Sequence, residues 1–252
     1  MTFDRYTRWQ AAPFHLLISA VIAALLFTAM LLLWYPRPYF RAAGGATLLL
    51  LLVGVDVFIG PLLTLVVFDP KKKKHLKIDL AVIAALQLTA LAYGGWIMFS
   101  ARPVYVAFAG DRFELVAANE IAQADLDKAG IEYRRLPLTG PQVVGTRLPA
   151  DAQEREALGL ASMLGGSIGL FPQHYIPYAT VSRDAVAKAL TLATLRQKNP
   201  DRVADIDAYV AASSKPERAL RYLPLQARRD DMSVVVDAAS GEVQGIMAVD
   251  PW

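Results

Sequence analysis

The sequence predicts a membrane protein: a three-helix transmembrane bundle followed by an α+β periplasmic domain. Three observations lead there. The first 100 of the 252 residues contain three long apolar runs. Lysines crowd the connection between the second and third runs. Beyond residue 103 the pattern changes to short alternating strands and helix-spaced segments bounded by turns.

The first run covers about residues 11–33 and ends at the interfacial pair Trp34-Tyr35. At about 1.5 Å per residue it reaches roughly 34 Å, enough to cross a bilayer. It is too long for a signal-peptide core, and Trp34-Tyr35-Pro36 is a poor cleavage site. The second run covers about residues 42–68 and the third about residues 80–99. Residues 1–100 thus form the transmembrane region and residues 103–252 the outer domain.

Charge sets the orientation. Arg5, Arg8, Lys71, Lys72, Lys73, Lys74 and Lys77 flank the ends predicted to stay in the cytoplasm, against only Arg37 and Arg41 in the other connection. Basic residues favour the cytoplasmic side. The lysine run is read as a topology signal with attraction for anionic lipid added to it. Three crossings then put the C-terminal domain outside, which in a bacterium is the periplasm, with the inner membrane as anchor. Residues 1–100 hold 9 Lys and Arg against 4 Asp and Glu, and the remainder 17 against 19. The basic character is concentrated beside the membrane, which argues against nucleic-acid binding.

The outer domain opens with an expected hairpin. Val104, Val106 and Phe108 alternate, Ala109-Gly110-Asp111 turns, and Phe113 and Leu115 answer them. A short helix over residues 124–129 stops at Gly130, and residues 131–136 read as a strand. Asp151 with Glu154 resembles a capping box, followed by Leu158, Ala161 and Leu164 at helical spacing. A second helix is expected over residues 182–198. Asn199-Pro200 would then cap and begin a third, with Val203, Ile206 and Val210 on one face. The last strands are residues 232–236 and 243–249, joined through a connection whose Gly241 suits a positive φ.

Several residues carry candidate chemistry. Asp56 lies midway along the second run, where an ionised group is costly without a partner. It serves either a structural hydrogen bond, for example to Thr28 or Gln87, or a partner's polar or cationic group. Gly60-Pro61 follows, and Pro61 removes a helical donor, so a kink near Gly60 is expected. His15, one turn into the first run, reads most simply as an interfacial histidine; the alternative is pairing with Asp56 or another helix. Asp56, Gly60, Pro61 and His15 are the candidate contacts for a partner helix.

Enzymatic readings fare worse. The chain has no cysteine, and its three histidines, His15, His75 and His174, fall in three different compartments, so no metal site and no cofactor is expected. Gly165-Gly166-Ser167-Ile168-Gly169 matches a hydrolase elbow in letters, but it follows a helix instead of a strand, so a plain loop is the better reading. The chain is not read as an enzyme.

Taken together, several segments resemble the type IV pilin accessory proteins of the TfpX/TfpZ group. They are Trp34-Tyr35-Pro36, Gly54-Val55-Asp56-Val57 with Gly60-Pro61-Leu62-Leu63-Thr64-Leu65, Asp69-Pro70-Lys71-Lys72-Lys73, and Leu76-Lys77-Ile78-Asp79-Leu80. Arg102-Pro103-Val104-Tyr105, Ala118-Asn119-Glu120 and Leu136-Pro137-Leu138-Thr139-Gly140-Pro141 extend the likeness outward. The resemblance implies an inner-membrane accessory factor or chaperone that promotes assembly of a cognate type IV pilin into the pilus. It implies pilin, the lipid bilayer and other pilus assembly proteins as partners, and no catalytic residues. Pilins of this kind resemble one another in an apolar N-terminal helix that waits in the inner membrane with an acidic residue and an amino terminus. Asp56 could pair with those groups while the outer domain holds the pilin head.

Two other classes compete. A periplasmic sensor would need a cytoplasmic output domain, and the inner segments are too short for one. A pilin-modifying membrane enzyme would want more spans and acidic outer loops, and only residues 36–41 form such a loop.

Overall fold

The computed structural model describes residues 8–54, 59–67 and 73–252. They divide into two compact units. One holds the chain up to Trp34 together with Gly45–Ser100, the other Tyr35–Gly44 together with Ala101–Trp252.

In the first unit α1 spans Arg8–Leu33; the short α2, Tyr39–Ala42, belongs to the second unit. α3 (Gly45–Val53), α4 (Gly60–Val67) and α5 (Lys73–Ser100) complete the first. Two stretches, Ala12–Leu33 and Ala81–Ser100, are long and apolar enough to cross a membrane. Over the apolar run expected at residues 42–68, the described residues form α3 up to Val53, π-helical turns at Gly54 and Ile59, and α4 from Gly60. α4 packs against α1 and α5, and α3 against α5. The outside of this unit is apolar: Phe14, Leu25, Leu32, Leu50 and Val66 are each more than 60% exposed. A soluble fold would bury such side chains.

The second unit is built on one mixed sheet. Its strands are β1 (Pro103–Phe108), β2 (Phe113–Ala117), β3 (Gln142–Thr146), β4 (Tyr175–Pro177), β5 (Leu220–Gln226), β6 (Met232–Asp237) and β7 (Val243–Met247), in the order β4-β3-β1-β2-β5-β6-β7. The β1–β2 hairpin has the expected register, Val106 opposite Leu115 and Phe108 opposite Phe113. β6 and β7 pair as expected, and Gly241 takes a φ of 75° in their connection. Every residue of β1 and β6 is buried, so the sheet is covered on both faces.

Five helices serve this sheet: α6 (Gln123–Lys128), α7 (Ala152–Met163), α8 (Ser182–Lys188), α9 (Leu192–Lys198) and α10 (Val203–Ala212). Asp151 caps α7 by accepting from the N–H groups of Gln153 at 2.8 Å and Glu154 at 3.0 Å. Leu192, Leu195 and Ile206 pack with Leu220, Tyr222 and Val235.

Two expectations are corrected and a third is sharpened. Residues 131–136 are turns, with Ile131 exposed, and the strand position is taken by β3 instead. The helix over residues 182–198 is broken. Leu190 exchanges two 2.8 Å main-chain bonds with Tyr222 of β5, and Thr191 then caps α9. Asn199 and Pro200 stand, as expected, as the cap position and first residue of a 3₁₀ turn, Pro200–Arg202, that leads into α10, but the Asn199 side chain makes no cap bond: buried, it donates to the carbonyls of Leu195 and Asp250. β5 itself contains Pro224, which argues against a strand by its missing N–H. Burial of Leu220, Tyr222, Leu223 and Leu225 outweighs one absent ladder bond.

The connection Tyr35–Gly44 is an integral part of this second unit. Tyr35 and Ala42 are fully buried. The Arg229 N–H donates to the Ala42 carbonyl at 3.1 Å. Ala42 and Tyr39 pack with Phe108, Phe113 and Leu223.

Candidate functional site

Polar side chains in the apolar unit are few, and several meet. His15 on α1 lies one turn before Ser19, so both share a face. Thr64 on α4 sits one turn after Gly60. The Thr64 hydroxyl donates to the Gly60 carbonyl at 3.1 Å and lies 2.6 Å from His15 Nδ1. The hydroxyl has one hydrogen, so the Thr64 oxygen can donate to only one of the two at a time, and the direction of the His15 contact follows the tautomer of the ring. Thr64 is almost fully buried.

The third helix contributes Gln87. A Cβ on Gly60 would overlap the Gln87 amide, the far end of a flexible side chain, which would have to shift to make room. A cavity of about 190 Å³ opens beside the contact, lined by His15, Ile18, Ser19, Ala84 and Gln87. A wholly apolar cleft of about 350 Å³ lies farther along the same unit, between Phe27, Met30, Leu49, Leu91 and Gly95. The first site can exchange hydrogen bonds with a polar group at depth; the second offers shape and apolar contact only.

Of the sequence-predicted contacts, His15 and Gly60 are thus brought to one place, and Pro61 is the second residue of α4. His15 is not merely interfacial: its partner is a second helix. Asp56 lies outside the described residues, as do Lys71 and Lys72, and the side chains of Lys73, Lys74 and Lys77 at the start of α5 are likewise not described. Thr28 donates to the Ala24 carbonyl of its own helix at 2.8 Å. Thr64 was missed by sequence reasoning. The signal was a hydroxyl one turn after the Gly60 carbonyl, but threonine in an apolar helix commonly satisfies itself that way.

In the second unit Ser167 follows α7 and opens a 3₁₀ turn over Ile168–Leu170, where its hydroxyl accepts from the Gly169 N–H at 3.2 Å. The same hydroxyl donates to the Glu114 carboxylate on β2. Burial pushes the Glu114 carboxyl above its ordinary value, against the opposing pulls of Ser167 and Arg112. The loop expected at Gly165-Gly166-Ser167 is found, and the serine's partner is a carboxylate held toward its neutral form. Among the described residues no three His, Asp or Glu side chains gather closely enough to hold a metal ion.

Comparison with known proteins places this arrangement in a family. Residues 3–44 match the family model for Fimbrial assembly protein FimB. The fimbrial assembly protein of serogroup I from Dichelobacter nodosus is 30% identical over 226 residues, covering 88% of this chain and 88% of the relative. The serogroup E1 protein of that organism shows the same identity and coverage. The protein of serogroups C1 and C2 is 38% identical over 116 residues, which is 46% of this chain and 88% of the relative. No solved structure matches. With that identity sustained over nearly the whole length of two relatives, the chain belongs to the fimbrial assembly protein family.

Proposed function

We propose that this chain is an inner-membrane accessory factor, of the kind represented by the TfpX/TfpZ group, that chaperones a cognate type IV pilin into the pilus. The observation that carries the reading is the 30% identity to fimbrial assembly proteins over 88% of the chain. The protein acts by binding and holds no catalytic role.

Chain parity supports a three-span anchor. Tyr35–Gly44 shares one folded unit with Ala101–Trp252, and a folded unit lies on one side of a membrane. The intervening chain must therefore cross an even number of times. Ala81–Ser100 is long and apolar enough for one crossing, and the apolar run over residues 42–68 would supply the other. The lysines before Ala81 favour the cytoplasm, which puts the larger unit in the periplasm.

The polar contact of His15, Thr64, Gly60 and Gln87 supports a binding role at depth. Polar groups inside a bilayer are satisfied by protein, and a docking helix needs the same. Asp56, one turn before Gly60 in sequence, would add a charge for the pilin's amino terminus.

Deletion of the protein is expected to abolish surface pili while pilin is still made; unchanged piliation would refute the assembly role. Asp56→Asn is expected to reduce pilin co-purified with the full-length protein while leaving it inserted. Equal recovery from both forms would remove Asp56 from the contact.

A further inference from the structure

The two long apolar helices of the first unit end side by side. α1 stops at Leu33 and α5 at Ser100. The rings of Trp34 and Phe99 meet edge-on with centroids 5.1 Å apart. Tryptophan at the end of an apolar helix marks the level of the bilayer surface. The chain passes from each of these ends directly into the second unit, at Tyr35 and again at Ala101.

One loop of the second unit is fixed to both entry points. Arg102, buried, donates from Nε to the Pro137 carbonyl at 3.1 Å. Gly140 takes a φ of 54°, and a Cβ there would stand 3.4 Å from Pro36 Cγ. Pro36 follows Trp34 by two residues, and Arg102 follows Ser100 by two. Two residues reach at most about 7 Å, and the headgroup layer on each side of a bilayer is roughly 5–8 Å deep. Chain length alone therefore keeps the loop over residues 137–140 beside the lipid headgroups. Leu136 packs inward on the cluster of Tyr105, Tyr133 and Tyr175. Leu138, between the two fixed points, is 66% exposed.

Charge at this end of the unit is positive. The Ala118 N–H donates to the Arg102 carbonyl at 2.9 Å and the Arg229 N–H to the Ala42 carbonyl at 3.1 Å, which brings residues 117–120 and 228–231 to the same end. With residues 35–44, 101–105 and 131–141 these segments hold seven arginines and four carboxylates, a surplus of three with every carboxylate counted as ionised. Arg37 and Arg135 are exposed, and neither side chain has an ion pair or hydrogen bond among the described residues.

We infer that the loop over residues 136–141 is a lipid-binding surface: Leu138 enters the boundary between headgroups and acyl chains, and Arg37 and Arg135 take the phosphates of anionic phospholipid. A leucine gains there the burial that water denies it, and basic side chains beside an anionic leaflet are drawn to it. The inference rests on the membrane-anchored reading of the first unit and goes beyond it, because it gives the second unit its own hold on lipid.

The chain has no cysteine, so a nitrobenzoxadiazole reporter can be placed on Thr139→Cys with Leu138 and both arginines intact. Full-length protein is reconstituted in phosphatidylcholine vesicles that contain a small fraction of nitroxide lipid. The nitroxide sits high on the acyl chain of either phosphatidylglycerol or phosphatidylcholine. Leu25→Cys on α1 and Ser240→Cys in the β6–β7 connection carry the same reporter as membrane and solvent standards. The Thr139→Cys reporter is expected to be quenched by both lipids, and about fivefold more efficiently by phosphatidylglycerol, the factor that one basic residue beside an anionic surface supplies. Arg37→Gln with Arg135→Gln, or salt at about 0.5 M, should erase that difference. Leu138→Asn should lower quenching by both lipids. Quenching at Thr139→Cys no greater than at Ser240→Cys, or equal quenching by the two lipids, overturns the inference. If Leu25→Cys is quenched and Thr139→Cys is not, the inference fails while the membrane anchor stands; if neither is quenched, the anchor fails and the inference with it. The lipid comparison with both arginines in place decides the matter even if a variant fails to fold.

Discussion

The main-chain N–H of Arg229 donates to the carbonyl of Ala42 at 3.1 Å. One hydrogen bond thus stitches the connection after the first apolar helix into the sheet that ends the chain. Arg41 and Asp230, 3.9 Å apart, add a weak ion pair beside it. Placing residues 35–44 in the C-terminal unit is the observation behind the proposed even number of crossings.

Topology can be read directly, because the chain has no cysteine of its own. Arg37→Cys and Ser240→Cys are both expected to react with an impermeant maleimide from the periplasmic side. Lys74→Cys should react only after the membrane is permeabilised. Labelling of positions 37 and 240 from opposite sides would contradict the shared unit.

Gly60 and Gln87 form a steric pair. Gly60→Ala drives a methyl group into the Gln87 amide. Because that amide is the far end of a flexible side chain and can shift, the cost is expected at the low end of overpacking, about 1 kcal/mol. Gln87→Ala in the same chain should recover most of that loss, a coupling that unfolding in mixed micelles would measure. Thr64→Val, which removes the bond to His15, should cost about 0.6 kcal/mol. Additive effects of the Gly60 and Gln87 changes would mean that the two do not touch.

Glu114 is a buried carboxylate whose folded value is raised, first by burial. A raised value means folding favours the protonated form. Its contribution is complete below the ordinary glutamate range, about 4.3, and is lost as pH rises through the folded value. Glu114→Gln keeps an acceptor for the Ser167 hydroxyl without the charge. It is expected to raise the melting temperature at pH 7 and to lose that advantage near pH 4. A constant difference across pH would show that the carboxyl is not perturbed.

Asp237 behaves oppositely. Lys215 donates to it at 2.6 Å, and the N–H groups of Ala239 and Ser240 at 2.9 and 2.7 Å. The lysine contact first, then the turn amides, hold its carboxyl well below the ordinary range. Its stabilisation is therefore present above about pH 4 and is lost as pH falls through the folded value. Asp237→Asn should destabilise the protein at pH 7 by about 2 kcal/mol, the scale of hydrogen bonds to a charged group. The difference should narrow in acid. Melting curves from pH 3 to 7 on both variants would separate the two carboxylates by sign.

Much of the architecture was legible because its signals are local. Residues 103–115 alternate and turn within a dozen positions, so the hairpin register follows from the pattern. Asp151 caps its helix through N–H groups two and three residues away. Other features depended on distant partners. β5, which contains Pro224, is held in place by β6 and by the bridge from Leu190 to Tyr222. The helix over residues 182–198 satisfied every periodic rule, yet Leu190 gains more from the main chain of Tyr222 than from another helical turn. Among the site residues, His15 and Gly60 stood out as oddities in apolar runs. Nothing in the spacing joined them to Thr64 and Gln87.

By itself, then, the sequence determined two helices long and apolar enough to cross a membrane, a charge asymmetry around them, and an α+β domain beyond. Each rests on composition or periodicity over a few turns. Only the tertiary structure decided that Tyr35–Gly44 belongs to that domain, that His15 bonds to Thr64, and that Leu190 pairs with Tyr222 of β5. Those features depend on which remote surfaces bury one another. That is a sum of many weak contacts between segments far apart in the chain, with no local pattern to announce it.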